Sequence, residues 1–584
     1  MRLLSYISKV TMTISLSALI AACGSDGGGG SSSDSSTPGS IVSFELIDPT
    51  PGAGDKFGQS VVILANGNIV VSDPNDSSIA ANNGAVHLYN PLTQTLVASI
   101  YGDNANDQIG LGSVTALANN NFVLAAPGDN LPGVADAGTV RLIDGATGIQ
   151  VGTTIAGNDP ADGIGFIVTA LANGNFVIAA PLDDLPGLVD AGSVRLVNGT
   201  TNLEIPGGLI TGNDAGDNLG SGGVTTLTNN NYIVSTPLDT VSGNVAAGSV
   251  RLVDGSTGVQ IGAAIEGDNP GDSIGTGGTI SLTNGNYAIG SPADDAGAIS
   301  NGSAQLVDGV SGIQIGASIV GDGGNDGLGF VTALANGNFA VAAPDDDVGP
   351  GPTINGGSVR LVDGTTGAQI GIAIEGDATN DKLGFGDTIS LANNNFVIAS
   401  IDDEVGPVVK AGSVRLVNGV TGLEIGINAG NNANDQLGFS ATGVTALTND
   451  NFVIASQLDD TGLADNGSVR LIEGVTGLPI VGGTITGGTV SDQLGSGGVT
   501  ALANNDYVIV SPLDDEGGVD FGSVRLVDGT NGMQIGTSIT GSVADDMELA
   551  TVTGSPAGDY YIIGLSLADN NATVDSGLVR LITQ

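Results

Sequence analysis

A segment that recurs along most of the chain is the feature that most limits how this sequence can fold. One copy, Asp162 to Ile205, reads DGIGFIVTALANGNFVIAAPLDDLPGLVDAGSVRLVNGTTNLEI. Each copy begins at an aspartate before an apolar residue and a glycine, and these aspartates lie 52 to 57 residues apart. The anchor aspartates are Asp55, Asp107, Asp162, Asp217, Asp272, Asp326, Asp381, Asp435, Asp492 and the degenerate Asp546.

Four short runs within one copy have the length and punctuation of β-strands. They are Ile167–Leu171, Phe176–Ala180, Ser193–Val197 and roughly Asn202–Ile205, and turn residues bound each run. An Asn-Gly pair separates the first two runs, which is a strong hairpin signal. The run FVIAA is apolar throughout, so we expect both of its faces to be buried. Each copy therefore predicts a four-stranded antiparallel sheet that needs neighbours on both sides.

Repeated sheets of this size predict an all-β fold, a β-propeller of about ten four-stranded blades within residues 41–584. The last copy ends with its third strand, Gly577–Ile582, while an orphan strand at 41–47 precedes the first anchor. We expect the strand at 41–47 to complete the last blade and close the ring, which removes two open edges. An open solenoid and two five-bladed rings are the alternatives, although a solenoid would favour polar capping repeats at its ends.

The first 40 residues predict export and lipid anchoring. Residues 1–22 combine Arg2 and Lys9 with an apolar run too short to span a membrane, which is typical of a signal peptide. The segment then reads LIAACG, which resembles a bacterial lipobox, and Cys23 is the only cysteine of the chain. The alternative is an ordinary signal peptide with a chance cysteine. Residues 23–40 are rich in Gly and Ser and predict a flexible tether after the lipidated cysteine.

Export and charge limit the partners that we expect. Acyl chains on Cys23 predict a membrane-anchored lipoprotein, at the outer membrane or cell surface of a Gram-negative bacterium. Without residues 1–22 the chain has 11 basic and 61 acidic residues, a formal charge of −50. This charge argues against nucleic acid and anionic membrane surfaces as partners. A protein or glycan outside the cell and a monomeric ring are the expectations that remain.

The acidic residues concentrate in two loops of each repeat, the loop before the first strand and the loop after the second. Both loops should emerge on the same face of a ring, because strand direction alternates within a blade. Clustered Asp oxygens suit Ca²⁺, whereas the alternative is that Asp only forms turns and keeps the protein soluble. No loop has the spacing of an EF-hand. The candidate calcium ligands are Asp103, Asp107, Asp183, Asp184, Asp322, Asp326, Asp345 and Asp346.

The basic residues follow the repeat as well, since most of them occupy one position of the third strand. These arginines are Arg141, Arg195, Arg251, Arg360, Arg415, Arg470, Arg525 and Arg580. A position filled in so many repeats predicts a structural role, with each guanidinium paired to an acid or a carbonyl of the same or the next blade. Gln305 occupies the position in the fifth repeat, and His87, the only histidine, in the first. We therefore interpret His87 as an occupant of the slot and not as a general base.

These repeats resemble the FG-GAP family found in integrin α-subunit propellers and in many bacterial surface proteins. The first repeat carries the resemblance best, with DKFGQSV at 55–61 and GAVHLY at 84–89, and Ala-Ala-Pro recurs at 125–127, 179–181 and 342–344. The resemblance covers residues 41–584, and it implies a propeller with an extracellular binding or adhesion role.

One departure from that family concerns its metal site. Integrin-type blades are expected to bind Ca²⁺ in an Asp-rich loop just before the "GAP" strand. Here the corresponding loop is Ala172-Asn173-Gly174-Asn175, which contains no acid. The metal site that the resemblance implies is therefore not expected in that loop.

Three classes of function remain open from the sequence. The first is a surface-anchored binding or adhesion module with no catalytic activity, which export, anchor and ring all favour. The second is a structural scaffold of the cell envelope. The third is a carbohydrate-active enzyme that uses paired carboxylates, but a catalytic site should break the symmetry of the repeats, and no such site is evident in the sequence.

Overall fold

The computed structural model describes residues 42–112, 114–348, 353–568 and 578–583. Within these residues all regular structure is β-strand, in ten four-stranded antiparallel sheets. Each sheet is one blade of a propeller, whose strands are called a to d from the centre of the ring outwards. The signal sequence, Cys23 and the tether lie outside the described residues, and no helix in the described part is long and apolar enough to cross a membrane.

The strands follow one order in nine of the blades, with a, b, c and d consecutive in the chain. Blades 1 to 3 contain β2 (Val61–Ile63), β3 (Ile69–Asp73), β4 (Ala85–Asn90), β5 (Thr95–Tyr101); β6 (Val114–Ala116), β7 (Phe122–Ala126), β8 (Thr139–Ile143), β9 (Gln150–Ala156); β10 (Ile167–Ala170), β11 (Phe176–Ala180), β12 (Ser193–Val197) and β13 (Glu204–Thr211). Blades 4 to 6 contain β14 (Val224–Thr226), β15 (Tyr232–Thr236), β16 (Ser249–Val253), β17 (Gln260–Glu266); β18 (Thr279–Ser281), β19 (Tyr287–Ser291), β20 (Ser303–Val307), β21 (Gln314–Val320); β22 (Phe330–Ala333), β23 (Phe339–Ala343), β24 (Ser358–Val362) and β25 (Gln369–Glu375). Blades 7 to 9 contain β26 (Thr388–Ser390), β27 (Asn395–Ser400), β28 (Ser413–Asn418), β29 (Glu424–Ala429); β30 (Val444–Ala446), β31 (Phe452–Ser456), β32 (Ser468–Ile472), β33 (Pro479–Thr486); β34 (Gly498–Ala501), β35 (Tyr507–Ser511), β36 (Ser523–Val527) and β37 (Ile539–Thr540).

Blade 10 is the blade that closes the ring, and the chain builds it from both of its ends. It contains β38 (Ala550–Gly554), β39 (Tyr560–Leu565), β40 (Leu578–Thr583) and, as its outer strand, β1 (Val42–Glu45). Strand β1 runs antiparallel to β40 and joins Val42 to Thr583 and Glu45 to Arg580. The predicted closure is therefore confirmed, with the strand shorter than the segment 41–47.

The inner strands show that the ring is single and continuous. Each strand a contacts the strand a of the next blade, and β2 of blade 1 contacts β38 of blade 10. The Thr553 hydroxyl donates to the carbonyl of Val61 at 3.1 Å across this junction. Two five-bladed rings would require a second junction between distant blades, and a solenoid would leave β2 and β38 apart. Both alternatives are wrong.

The hydrophobic core lies between the blades and not within any single blade. Ten apolar clusters fill the ten junctions, and each draws its side chains from two neighbouring blades. Strand b is buried along its whole length in blades 2 to 9, as its continuous apolar sequence predicts. A blade therefore contributes to two clusters at once, which explains why the repeat cannot be stable alone.

Strand d is present as predicted, but its predicted bounds were wrong. In blade 3 the prediction ended at Ile205, but β13 extends from Glu204 to Thr211, and its side chains are mostly exposed or half-buried. This strand lies at the rim of the ring, so its sequence EIPGGLIT carries no apolar run to reveal it. A shift of register between Arg195 and Val197 marks a bulge where β12 pairs with β13.

The strand directions give the ring two distinct faces. The b–c loops and the d–a loops, which hold most acidic residues, emerge on one face, called the acidic face. The a–b and c–d turns emerge on the other, called the turn face. Because Val42 pairs with Thr583 at the end of β40, Val42, the first described residue, lies at the turn face.

Candidate functional site

The anchor aspartates are buried at the acidic face, where they hold two loops together. In blade 2, Asp107 accepts the backbone N–H groups of Asp103 and Asn104 at 3.0 and 2.6 Å through Oδ2. Its Oδ1 accepts the N–H of Asn130 in the b–c loop at 3.2 Å. Asp162 makes the equivalent three contacts in blade 3. The carboxylate thus replaces water for backbone donors that the tight loops would otherwise leave unpaired.

A second buried aspartate in the b–c loop receives the arginine of strand c. In blade 2 the guanidinium of Arg141 lies 3.2 Å from Asp129, whose Oδ2 also accepts the hydroxyl of Thr139. Six further arginines contact the equivalent aspartate of their own blades: Arg195, Arg251, Arg360, Arg415, Arg470 and Arg525. Arg580 instead lies 3.6 Å from Glu45 of the closing strand.

Of the eight aspartates predicted as calcium ligands, five lie in clusters of three carboxylates in blades 2 and 6. Asp103 and Asp107 offer ligand atoms within 4.8 Å of one another and of Asp129, which the prediction omitted. Asp322, Asp326 and Asp346 form the equivalent cluster in blade 6, and Asp268, Asp272 and Asp294 form one in blade 5.

The remaining predicted ligands have other contacts. Asp183 binds Arg195 and Ser193, while Asp184 accepts the N–H of Asp190 at 2.8 Å. Asp345 forms an ion pair of 2.9 Å with Lys382. Asp183 has its donors on β12, whereas Asp184 has a donor in its own loop and Asp345 has one from a neighbouring loop.

Burial changes the acidity of several of these carboxylates. It raises the pKa of Asp107, Asp326 and Asp346 above the ordinary value, although backbone or hydroxyl donors oppose the change. The pKa of Asp381 rises to about 6, chiefly through burial and partly through the charges of Asp403 and Asp377.

Blade 1 breaks the pattern of the other blades, which the sequence interpretation missed. His87 stands in the arginine slot, and Asp73 ends strand b where blade 2 has Ala126. Asp48, from the segment after β1, offers a ligand atom within 4.8 Å of those of Asp73 and His87. A second cluster joins Asp73 to Asp55 and Asp76, and all five side chains are buried. The departure of two positions from the repeat is the signal that would have revealed this site.

The polar groups of blade 1 are strongly perturbed by their burial. Burial lowers the pKa of His87 to about 4, so the imidazole is neutral. Burial and the charges of Asp55 and Asp76 raise the pKa of Asp48 to about 7, although the N–H of Thr50 opposes this. The site therefore combines a neutral imidazole with an Asp48 carboxyl group that resists ionisation.

The turn face carries a contact that hairpin signals alone do not reveal. In blade 2 the side-chain amides of Asn119 and Asn121 donate to the carbonyl of Gly199, in the c–d turn of blade 3, at 2.7 and 2.9 Å. The same pairing joins blades 3 to 4, 4 to 5, 5 to 6, 6 to 7, 7 to 8 and 8 to 9. These asparagines connect neighbouring blades.

Apolar side chains are exposed at the tips of the b–c loops, among the carboxylates of the acidic face. Val189, Val245 and Ile299 are 61%, 67% and 72% exposed in three successive blades. The backbone of each tip is fixed, because its carbonyl accepts an N–H from the d–a loop of the next blade. This face therefore presents apolar groups on a rigid, acidic surface.

Among comparisons with known proteins, one family model matches part of the repeated sequence. Five segments match the family described as "Repeat of unknown function (DUF5650)": residues 170–213, 226–269, 281–330, 390–438 and 501–547. No curated protein sequence matches the chain.

The solved structures that match parts of this chain have low sequence identity to it and TM-scores of 0.34 to 0.36. The computationally designed Ika8 protein is 17% identical over 73% of this chain and 98% of its own, with a TM-score of 0.34. The dihydro-heme d1 dehydrogenase NirN is 12% identical over 64% of this chain and 67% of its own, with a TM-score of 0.36. A europium-containing methanol dehydrogenase is 12% identical over 71% of this chain and 84% of its own, also with a TM-score of 0.36. The protein is a ten-bladed β-propeller, and five of its segments are similar to a repeat of unknown function (DUF5650).

Proposed function

We propose that the protein is a non-catalytic binding module held at a bacterial membrane by acyl chains on Cys23, with its acidic face directed away from the lipid. The observation that carries this proposal is the direction of β1. Val42 pairs with Thr583, so β1 begins at the turn face, and we infer that the tether from Cys23 joins the ring there. A tether at that face leaves the opposite, acidic face open to molecules outside the cell.

The acidic face has the composition of a binding surface for a protein or a glycan. Apolar tips such as Val245 are exposed on a face that also carries many acidic residues, and apolar groups on a polar surface are common at interaction sites. The high negative charge favours partners with a basic surface. The resemblance of the first repeat to FG-GAP repeats supports the same role.

The state of the carboxylates supports binding over catalysis. Most of the anchor aspartates and b–c loop aspartates have backbone, hydroxyl or guanidinium donors in a pattern that recurs from blade to blade, as Asp107 and Asp129 show. The one cluster that breaks the pattern, in blade 1, is buried and not open to a substrate. A glycosidase would need two accessible carboxylates on either side of a bound sugar.

Adhesion of whole cells tests the proposal, with matched changes on the two faces of the same three blades. The acidic-face variant combines Val189→Ser, Val245→Ser and Ile299→Ser. The control combines Leu203→Ser, Val259→Ser and Ile313→Ser in the c–d turns, which are 61%, 58% and 67% exposed. Retention on collagen-coated and mucin-coated surfaces is compared with that of a strain lacking the protein.

We expect the acidic-face variant to fall to the level of the deletion strain and the control to equal the wild type. Surface levels of both variants are measured with an antibody, so that loss of protein is not mistaken for loss of binding. A deletion strain that adheres as well as the wild type on both surfaces, or a loss confined to the control variant, would contradict the proposal.

A further inference from the structure

Blade 1 carries a cluster that the repeat does not explain. The slot that holds an arginine in eight blades contains His87, and the b–c aspartate of this blade, Asp76, has no guanidinium from that slot. Strand b ends in Asp73, an additional carboxylate. Asp48 enters from the segment that follows β1. The arginine has thus been lost and two acids gained at a single place in the ring, while Lys56 adds one buried cation to the same repeat.

Two buried polar atoms of the cluster have no hydrogen-bond partner among the described residues. The Nδ1 atom of His87 lies 2.9 Å from the hydroxyl of Ser99, while its Nε2 lies 3.9 Å from Asp73 Oδ2. Neither His87 Nε2 nor Asp48 Oδ2 has a hydrogen-bond partner among the described residues, although the side chain of His87 is fully buried and Asp48 is only 1% exposed. Buried polar atoms without partners are costly and rare.

The charge of the cluster is also unbalanced. Asp48, Asp55, Asp73 and Asp76 are buried here, and Lys56 is the one buried cationic side chain of the same segments. Thr50 and Ser78 donate to Asp76, but hydroxyl groups carry no charge. Buried carboxylates need a compensating cation or a proton.

We propose that Asp48, Asp73 and His87 bind a divalent transition-metal cation of the zinc and manganese class. Imidazole nitrogen together with carboxylate oxygen suits these ions, whereas Ca²⁺ and Mg²⁺ take oxygen ligands. In the tautomer whose proton lies on Nδ1, His87 donates to Ser99 and keeps a lone pair on Nε2, which is the arrangement found in metal-bound histidines. Asp55 and Asp76 supply further negative charge next to the ion.

The position of the site gives the ion a structural role. Asp48 follows β1, which belongs to blade 10, whereas Asp73 and His87 lie on strands b and c of blade 1. Tyr89 of blade 1 also donates its hydroxyl to the carbonyl of Ile47 in the same segment. A cation held by these three ligands fastens the closing segment to the first blade and so stabilises the junction where the two ends of the chain meet.

Metal analysis and thermal unfolding of the full-length lipoprotein in detergent test this proposal. The protein is stripped with chelator and titrated with Zn²⁺, Mn²⁺ and Ca²⁺ at matched ionic strength. The key variant is His87→Gln, because the chain itself places Gln305 in the same slot of blade 5. Asp129→Asn in blade 2 is the control, because it removes an acid from a cluster that contains no histidine.

We expect the wild type and Asp129→Asn to bind one Zn²⁺ or Mn²⁺ with a rise in Tm, and His87→Gln to bind more than about tenfold more weakly. A second variant, His87→Arg, restores the arginine of the other blades and is expected to be stable without added metal. The proposal is overturned by a wild type that binds neither ion, or by equal binding in the wild type and His87→Gln.

Discussion

At the residue scale, aspartate and asparagine act mainly as connectors in this protein. Asp107 links two loops of one blade, and Asn119 with Asn121 links one blade to the next. In both cases a side-chain polar group satisfies a backbone group that no strand reaches. The repeat keeps these residues in turns, where they tolerate tight backbone conformations.

Removal of one asparagine pair should weaken a junction between blades. We expect Asn119→Ala with Asn121→Ala to destabilise the protein by about 1 kcal/mol per lost hydrogen bond. The measurement is the midpoint of urea denaturation. Asn158→Ala is the control, because this exposed side chain contacts only its neighbour Asp159, and it should have almost no effect. Equal midpoints for the pair variant and the control would contradict the connecting role.

The raised pKa of Asp381 predicts how the stability of the protein depends on pH. Between the ordinary value near 3.8 and the folded value of about 6, the native state binds more protons than the unfolded state. The contribution of Asp381 to stability is therefore largest below pH 4 and declines as pH rises through 6. We expect Asp381→Asn to remove this part of the pH dependence.

The comparison uses denaturation midpoints of the wild type and Asp381→Asn at several pH values from 4 to 7, with chelator present. The difference in stability between wild type and variant should shift in favour of the wild type as pH falls. An identical pH profile for the two proteins would show that the Asp381 pKa is not raised in the folded protein.

At the scale of the element, the four-residue strand β1 is important because it completes the blade that closes the ring. It covers the outer edge of β40, and Leu46 just after it donates its N–H to the carbonyl of Val579 at 3.2 Å. Phe44 and Leu46 also belong to the apolar cluster between blades 10 and 1. Open strand edges promote pairing with other molecules.

Deletion of residues 42–47 should therefore expose the edge of β40 and weaken the junction of the two chain ends. We expect a lower Tm and the appearance of dimers or larger species, measured by light scattering after size-exclusion chromatography. Deletion of residues 28–33 of the tether is the control and should leave both properties unchanged. A monomeric variant with the Tm of the wild type would show that the ring does not depend on β1.

At the scale of the whole molecule, charge is the dominant property. The formal charge is −50 without residues 1–22, and many of the acids share one face of the ring. Calcium at the acidic face remains a proposal, which blade 2 supports best. There Asp103, Asp107 and Asp129 lie together, and the buried Oδ1 of Asp129 has no hydrogen-bond partner in the described part of the chain.

Calcium and simple salt should be distinguishable by their effects on Tm. A specific site that only the native state binds adds about 2.7 kcal/mol at a hundredfold excess over Kd, whereas general screening responds equally to any salt of the same ionic strength. We expect Ca²⁺ to raise Tm beyond matched NaCl, and Asp103→Asn to reduce that difference. The same gain from both salts would mean that the acids serve solubility alone.

The architecture could be predicted from the amino-acid sequence alone. The spacing of the anchor aspartates predicted ten blades, the missing last strand and the orphan first strand predicted the closure, and the structure confirms both. These features depend on local periodicity and on edges that must be covered, which a linear pattern records. The outer strand d was misjudged because exposure at the rim removes the apolar signal.

The contacts between side chains of different segments could be identified only from the three-dimensional structure. Asn119 reaches a glycine 80 residues further along the chain, and Asp48 meets His87 from the other side of the ring junction. Asp129 joins the cluster predicted for Asp103 and Asp107, whereas Asp184 binds its own loop. Such contacts depend on how adjacent blades pack, and the distances between side chains of different blades are not encoded in any local run of residues.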